Sequence, residues 1–275
     1  MLSMLRLLSI IALLNISLFA SNVGSDVVDI LKERFSANSK IEQVSIELKD
    51  TVPVPDLKGW YAVIINVKAV VKKNKAHISQ RMTWFSNGTV LAPDFIDLVT
   101  GDSVKTTIQP KFNEKFYKKE YLVSGSEHSK HKIAIFSDPL CPFCKRYVPT
   151  ALKYMKAHPK KFAVYFYHLP LKHIHPSSPI LVKASIYAEL MGKKDVVSKL
   201  YSLNADYKIS KKDALKEFNK VLKMNITKKD LNSPEVLKIY KESEKISDEM
   251  MVRGTPTVFF DGKVDKTKKK YEKAK

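Results

Sequence analysis

Ile133-Ala134-Ile135-Phe136-Ser137-Asp138-Pro139-Leu140-Cys141-Pro142-Phe143-Cys144 is a short apolar run that passes through a turn into a pair of cysteines. The run suits a buried strand. Lys145 to Ala157 continues with Tyr147, Val148, Ala151 and Met155 on one side, which predicts a helix beginning at the cysteines. Phe162 to Tyr167 predicts a second strand. Strand, helix, strand is the start of a parallel crossover unit, so this stretch predicts an α/β fold.

The two cysteines are the only ones among 275 residues. As a staple they would do little. A disulfide closing a loop of roughly four residues is worth about 1.9 kcal/mol by chain entropy, less than a longer loop gives. A bridge that stabilises weakly and opens easily suits thiol exchange. Cys141 at a helix N-terminus has unpaired backbone N–H groups and the positive dipole end directed at its sulfur, which favours the nucleophilic thiolate. Pro142 fits the first helical position, where no N–H is needed. The same stabilisation makes the disulfide more oxidising. Cys144, one turn further in, is placed to attack a mixed disulfide and release the substrate.

Competing readings of the neighbouring residues are blander. Lys145 reads as a solvated helix residue. Asp138 reads as a turn residue capping the loop, with proton acceptor as the alternative. A zinc site needs about four ligands. His168, His173 and His175 do not follow Cys141 and Cys144 at a common finger spacing and read as loop and surface histidines. No metal and no cofactor is expected.

Outward from the pair, the first 20 residues read as a secretory signal: Arg6, an apolar run from Leu7 to Phe19, and Ala20 as cleavage residue. The alternative is an uncleaved anchor, for which the run is short and interrupted by Ser9, Asn15 and Ser17. Export implies a soluble mature protein in an oxidising compartment, where disulfides persist. The formal charge is +20, yet only five of 48 basic residues are arginines. Nucleic-acid readers lean on arginine. Lysines spread along the whole chain predict a solvated basic surface and no nucleic-acid partner, with attraction to an anionic membrane surface or to acidic unfolded substrates left open.

Residues 21–105 predict a small α+β domain. Val27, Ile30, Leu31 and Phe35 fall at helical spacing; Val44, Ile46 and Leu48 alternate as in a strand; Trp60–Val71 and His77–Phe85 are further strands, the last ending at an Asn87-Gly88 turn. Lys111 to Tyr121, with Phe112 and Phe116 as an apolar stripe, predicts a linker helix within 106–128. The domain 129–275 would then carry a helical insertion over about 177–251. Ser210 with Asp213 resembles a capping box there, and Ser233-Pro234 marks a second helix start. Thr257–Phe260 predicts a late strand and Asp261-Gly262 a turn.

The stretch Phe136 to Lys145, together with Gly254-Thr255-Pro256, resembles the periplasmic Dsb branch of the thioredoxin superfamily, most nearly its DsbG and DsbC members. His168-Leu169-Pro170-Leu171 with His175-Pro176 looks more like DsbA-type relatives. The resemblance is specific over 133–176 and 250–262 and only architectural over 21–105. It implies a thioredoxin-like catalytic domain with Cys141 and Cys144 as the redox-active pair. Pro256 would be cis, and Thr255 and Pro256 would bind an extended substrate peptide beside the cysteines. It implies a cystatin-like N-terminal dimerisation domain, hence a V-shaped homodimer in the periplasm. The activity implied is disulfide isomerase or reductase, with DsbA-like oxidase as the alternative. Its partners would be unfolded or misdisulfided exported proteins and a membrane redox protein, a DsbD-like reductant or a DsbB-like oxidant. A reading from another class is a chaperone whose cysteines are secondary.

Overall fold

The computed structural model describes residues 22–274 except Asp56, so the expected leader lies outside the described residues. Among these, no helix is long and apolar enough to cross a membrane. The chain divides into two compact units after Gln109.

In the first unit, helix α1 (22–36) is followed by β1 (Ile41–Pro53), β2 (Tyr61–Val71), β3 (His77–Ser86) and β4 (Leu91–Ala92). The four strands form one antiparallel sheet in sequence order. Val23, Val27 and Leu31 recur at helical spacing and pack on Val63, Ile65 and Val67, which alternate along β2. Trp60 and Phe85 meet Phe95, at ring-centroid distances of 4.7 and 5.1 Å. At the β3–β4 turn, Asn87 Oδ1 accepts from the amides of Thr89 and Val90, and Gly88 has φ 89°. These are the turn residues the Asn-Gly pair predicts.

The second unit is built on a five-stranded mixed sheet of β5 (Leu122–Ser124), β6 (His131–Ser137), β7 (Phe162–His168), β8 (Thr257–Phe260) and β9 (Lys263–Val264), in the order β5-β7-β6-β8-β9. Helix α2 (Pro142–Lys156) joins β6 to β7, which run parallel. Between β7 and β8 lie α3 (Ser178–Leu190), α4 (Val196–Leu200), α5 (Lys211–Leu222) and α6 (Pro234–Glu249); α7 (Lys270–Lys273) follows β9. Ser210 Oγ accepts from the Asp213 amide at the start of α5, and Pro234 opens α6. One core contains Ile133, Ile135, Val148, Leu152, Val164 and Phe166. The other sheet face carries an aromatic cluster of Phe112, Phe136, Tyr165, Tyr167 and Phe259.

The expected linker helix over 111–121 is not formed. The segment makes two 3-10 turns, Glu114–Phe116 and Lys119–Tyr121, and belongs to the second unit. Its aromatic residues are the physical reason. Phe112, Phe116 and Tyr121 are all buried in the cluster on the sheet. Phe112 touches five other rings, and its amide is bonded to the Gly262 carbonyl. A regular helix would place its stripe along one line, whereas these side chains enter the cluster from a chain that turns twice.

Candidate functional site

Register places the site. In β6 and β8, Phe136 pairs with Thr257. The loop following β6 therefore comes to lie beside the loop preceding β8. The parallel register pairs Ser137 with His168, and the Leu169 amide is bonded to the Ser137 carbonyl. The ends of three strands thus converge on residues 137–141.

Cys141 is the N-cap of α2, in extended conformation at φ −67° and ψ 122°, with Pro142 in the first turn. Its carbonyl accepts from the Lys145 amide at 3.0 Å. Its thiol donates to the Thr255 carbonyl at 3.5 Å, and the Thr255-Pro256 bond is cis. Cys141 is 4% exposed and Cys144 0%, while Phe143 between them is 63% exposed. Both thiols are free. The four residues predicted to form the site are thus together: Cys141, Cys144, Thr255 and Pro256.

The two sulfurs have different surroundings. Burial pushes the Cys144 thiol up to about 12, against donors from the Ser137 hydroxyl, the Thr255 hydroxyl and the Asp138 amide. The buried Thr255 hydroxyl makes no well-aligned hydrogen bond, and it faces this sulfur. Ser137 Oγ also lies 2.6 Å from the Tyr201 hydroxyl. Burial first, then the neighbouring Cys144, pushes the Tyr201 phenol up.

Asp138 caps the loop as expected, its Oδ1 accepting from the Leu140 amide at 2.7 Å. It is also completely buried and accepts from the Ser178 hydroxyl and the Leu171 amide, each at 2.6 Å. His175 Nδ1 stands 3.1 Å from Asp138 Oδ2, at ion-pair distance but off the hydrogen-bonding direction. Two of the three histidines read as loop and surface residues are therefore interior: His175 beside Asp138, and His168 at the end of β7. Burial pulls His168 down to about 4. The described residues contain no group of three or more His, Cys, Asp or Glu side chains placed to hold a metal. Lys145 is not a freely solvated residue either. Its ammonium donates to the carbonyls of Leu203 and Ala205, tying α2 to the chain after α4.

Three polar residues at the candidate site, Ser137, Ser178 and Tyr201, belong to no sequence motif. Ser137 is a polar residue closing an apolar run, which was a usable signal. Ser178 and Tyr201 carry none, because only the packing of α3 and α4 against the loop brings them there.

The family model Thioredoxin_4 (Thioredoxin) matches residues 118–275. No curated protein shows a significant match. Among solved structures, a thioredoxin-like oxidoreductase from Silicibacter pomeroyi is 19% identical, with a TM-score of 0.46 over 59% of this chain and 99% of that one. The thiol-disulfide exchange protein alpha-DsbA2 from Wolbachia pipientis is 18% identical, with a TM-score of 0.45 over 55% of this chain and 81% of that one. BdbD from Bacillus subtilis is 17% identical, with a TM-score of 0.47 over 60% of this chain and 90% of that one. The sheet, the crossover and the loop meeting Cys141 all lie in the second unit, where the family match falls, and the chain belongs to the thioredoxin family.

Proposed function

We propose that the protein is a thiol-disulfide oxidoreductase acting on exported proteins in the periplasm, of the isomerase or reductase type. The observation that carries this reading is the Cys141 thiol at the N-terminus of α2, 3.5 Å from the Thr255 carbonyl, with Cys144 buried behind it.

In the reductive direction the Cys141 thiolate attacks one sulfur of a substrate disulfide. The substrate S–S bond breaks, a Cys141–substrate disulfide forms, and the departing substrate sulfur takes up a proton. Cys144 then loses its proton and attacks Cys141. The mixed disulfide breaks, the Cys141–Cys144 disulfide forms, and the second substrate sulfur leaves as a thiol. Two electrons and two protons have passed to the substrate. An isomerase stops at the mixed disulfide and lets another substrate thiol displace Cys141. The high proton affinity of Cys144 supports this division of labour, because a thiol held protonated does not resolve prematurely. Thr255 and Pro256 position the substrate, whose extended chain pairs with the Thr255 backbone as an added strand. A membrane reductant of the DsbD kind regenerates the dithiol. Residues 21–105 act as a cystatin-like dimerisation domain.

Insulin reduction and reactivation of scrambled ribonuclease test the reading. Cys141→Ser is expected to abolish both; Cys144→Ser is expected to stop insulin turnover and to accumulate a mixed disulfide. Retention of both activities by the Cys141→Ser/Cys144→Ser variant would leave a chaperone. Thiol trapping in living cells reads the direction: a reduced pair for isomerase or reductase, an oxidised pair for oxidase. Light scattering at micromolar concentration reads the dimer.

A further inference from the structure

Beside the cysteines lies an open cleft of about 580 Å³, walled by Phe143, Arg146 and Tyr147 from α2, by Thr255 and Pro256, and by Lys268. Its charged lining consists of two cations and no carboxylate. Among the described residues neither Arg146 nor Lys268 forms an ion pair, although acidic side chains elsewhere on the unit hold lysines in several. The Arg146 side chain and the Lys268 backbone are positioned by other means. The Arg146 guanidinium lies over the Phe143 ring, 4.9 Å from its centroid, an arrangement that fixes the side chain without consuming its charge. Lys268 sits in left-handed conformation at φ 58°. Its turn is fastened by the buried Asp265 carboxylate, which accepts from the amides of Thr267 and Lys270 and from the Thr267 hydroxyl.

We infer that this cleft selects substrate segments with an aspartate or glutamate close to the reacting cysteine. The inference rests on the redox reading and deepens it. A peptide paired along Thr255 passes over the cleft, since Thr255 both contacts Cys141 and lines it. Two unneutralised cations of one sign on a single cleft attract a carboxylate more strongly than charges scattered over the surface. The Arg146 fork also offers bidentate contact.

Three peptides test this, each with one cysteine as a mixed disulfide with a chromogenic aromatic thiol. They carry two glutamates, two glutamines or two lysines within three residues of the cysteine. Second-order reduction rates with the full chain in its dithiol form are divided by those with dithiothreitol, which removes the intrinsic effect of charge on the disulfide. The glutamate peptide is expected to react about tenfold faster than the glutamine peptide at low salt, with most of the advantage lost at 0.5 M salt, on the order of what two flanking charges contribute. Arg146→Glu/Lys268→Glu is expected to invert the order of the glutamate and lysine peptides. Lys193→Glu/Lys194→Glu, the same change of net charge on the exposed turn after α3, is expected to leave it intact. Equal normalised rates for all three peptides overturn the inference while the redox reading stands. So does an equal effect of the two charge reversals. Failure to reduce even the glutamine peptide overturns the redox reading itself.

Discussion

The Leu171 amide donates to Asp138 Oδ2 at 2.6 Å, joining the loop that delivers Cys141 to the turn that follows β7. The other carboxylate oxygen takes the Leu140 amide and the Ser178 hydroxyl. One completely buried side chain thus holds the cysteine loop, the β7–α3 connection and the start of α3 in a fixed relation. Replacing it leaves three donors without an acceptor. Asp138→Ala is expected to lower stability by about 3 kcal/mol, from three buried hydrogen bonds lost at once. Ser178→Ala, which removes one donor and leaves the others paired, is expected to cost about 1 kcal/mol. Urea denaturation followed by far-UV circular dichroism measures both. A loss under about 1 kcal/mol for the aspartate variant would show that the network does not hold the loop.

The Cys144 thiol is pushed up to about 12, burial outweighing the donors around it. The folded protein therefore keeps this proton where the unfolded chain gives it up. Stability from this group is fully present below the ordinary thiol value near 9 and is lost as pH rises towards 12. In the Cys141→Ser variant, the carbon-13 Cβ resonance of labelled Cys144 is expected to show no ionisation step below pH 10. A midpoint near 8.5 would place Cys144 in a far more polar setting than its burial allows.

His168 moves the other way, down to about 4, because its ring is buried. The unfolded chain binds a proton near 6.5 that the folded protein accepts only near 4. Acidification through that window favours the unfolded state, by about 3 kcal/mol once both are protonated. His168→Gln is expected to flatten the stability profile between pH 6.5 and 4, as read from urea midpoints at constant ionic strength. An unchanged slope would assign the acid sensitivity to other groups.

The site was far more legible in the sequence than the route by which the chain reaches it. Local chemistry announced Cys141, Pro142 and the strand before them, since a strand, a turn and a helix start carry their signals within a dozen residues. Asp138 reads as a loop cap from its sequence position because one of its contacts is local, to Leu140. Its contacts to Leu171 and Ser178 arise from tertiary packing and left no pattern. The same distinction explains His175 and Lys145. Each has a polar side chain that sequence alone places in water, and each is turned inward by a partner far along the chain. At Lys111–Tyr121 the periodic aromatic residues were real, but their partners on the sheet, not one another, set the backbone.

That last difference has a measurable consequence. A linker helix would tolerate loss of Phe112, whereas a residue buried in an aromatic cluster does not. Phe112→Ala is expected to destabilise the second unit by about 4 kcal/mol, from lost transfer energy and the cavity left behind. Gly125→Ala tests the strand that follows. Gly125 has φ 76°, and a Cβ there would sit 2.0 Å from the Phe162 carbonyl oxygen. The β5–β7 edge must open to admit it, so a loss of about 2 kcal/mol or more is expected. Tryptophan fluorescence cannot read either change directly, because Trp60 and Trp84 both lie in the first unit. Hydrogen exchange of the β6 and β7 amides in the full chain does. Faster exchange there, with unchanged protection of β2, is the expected outcome for both variants. Unchanged exchange in β6 and β7 for Phe112→Ala would return residues 110–121 to the role of a linker.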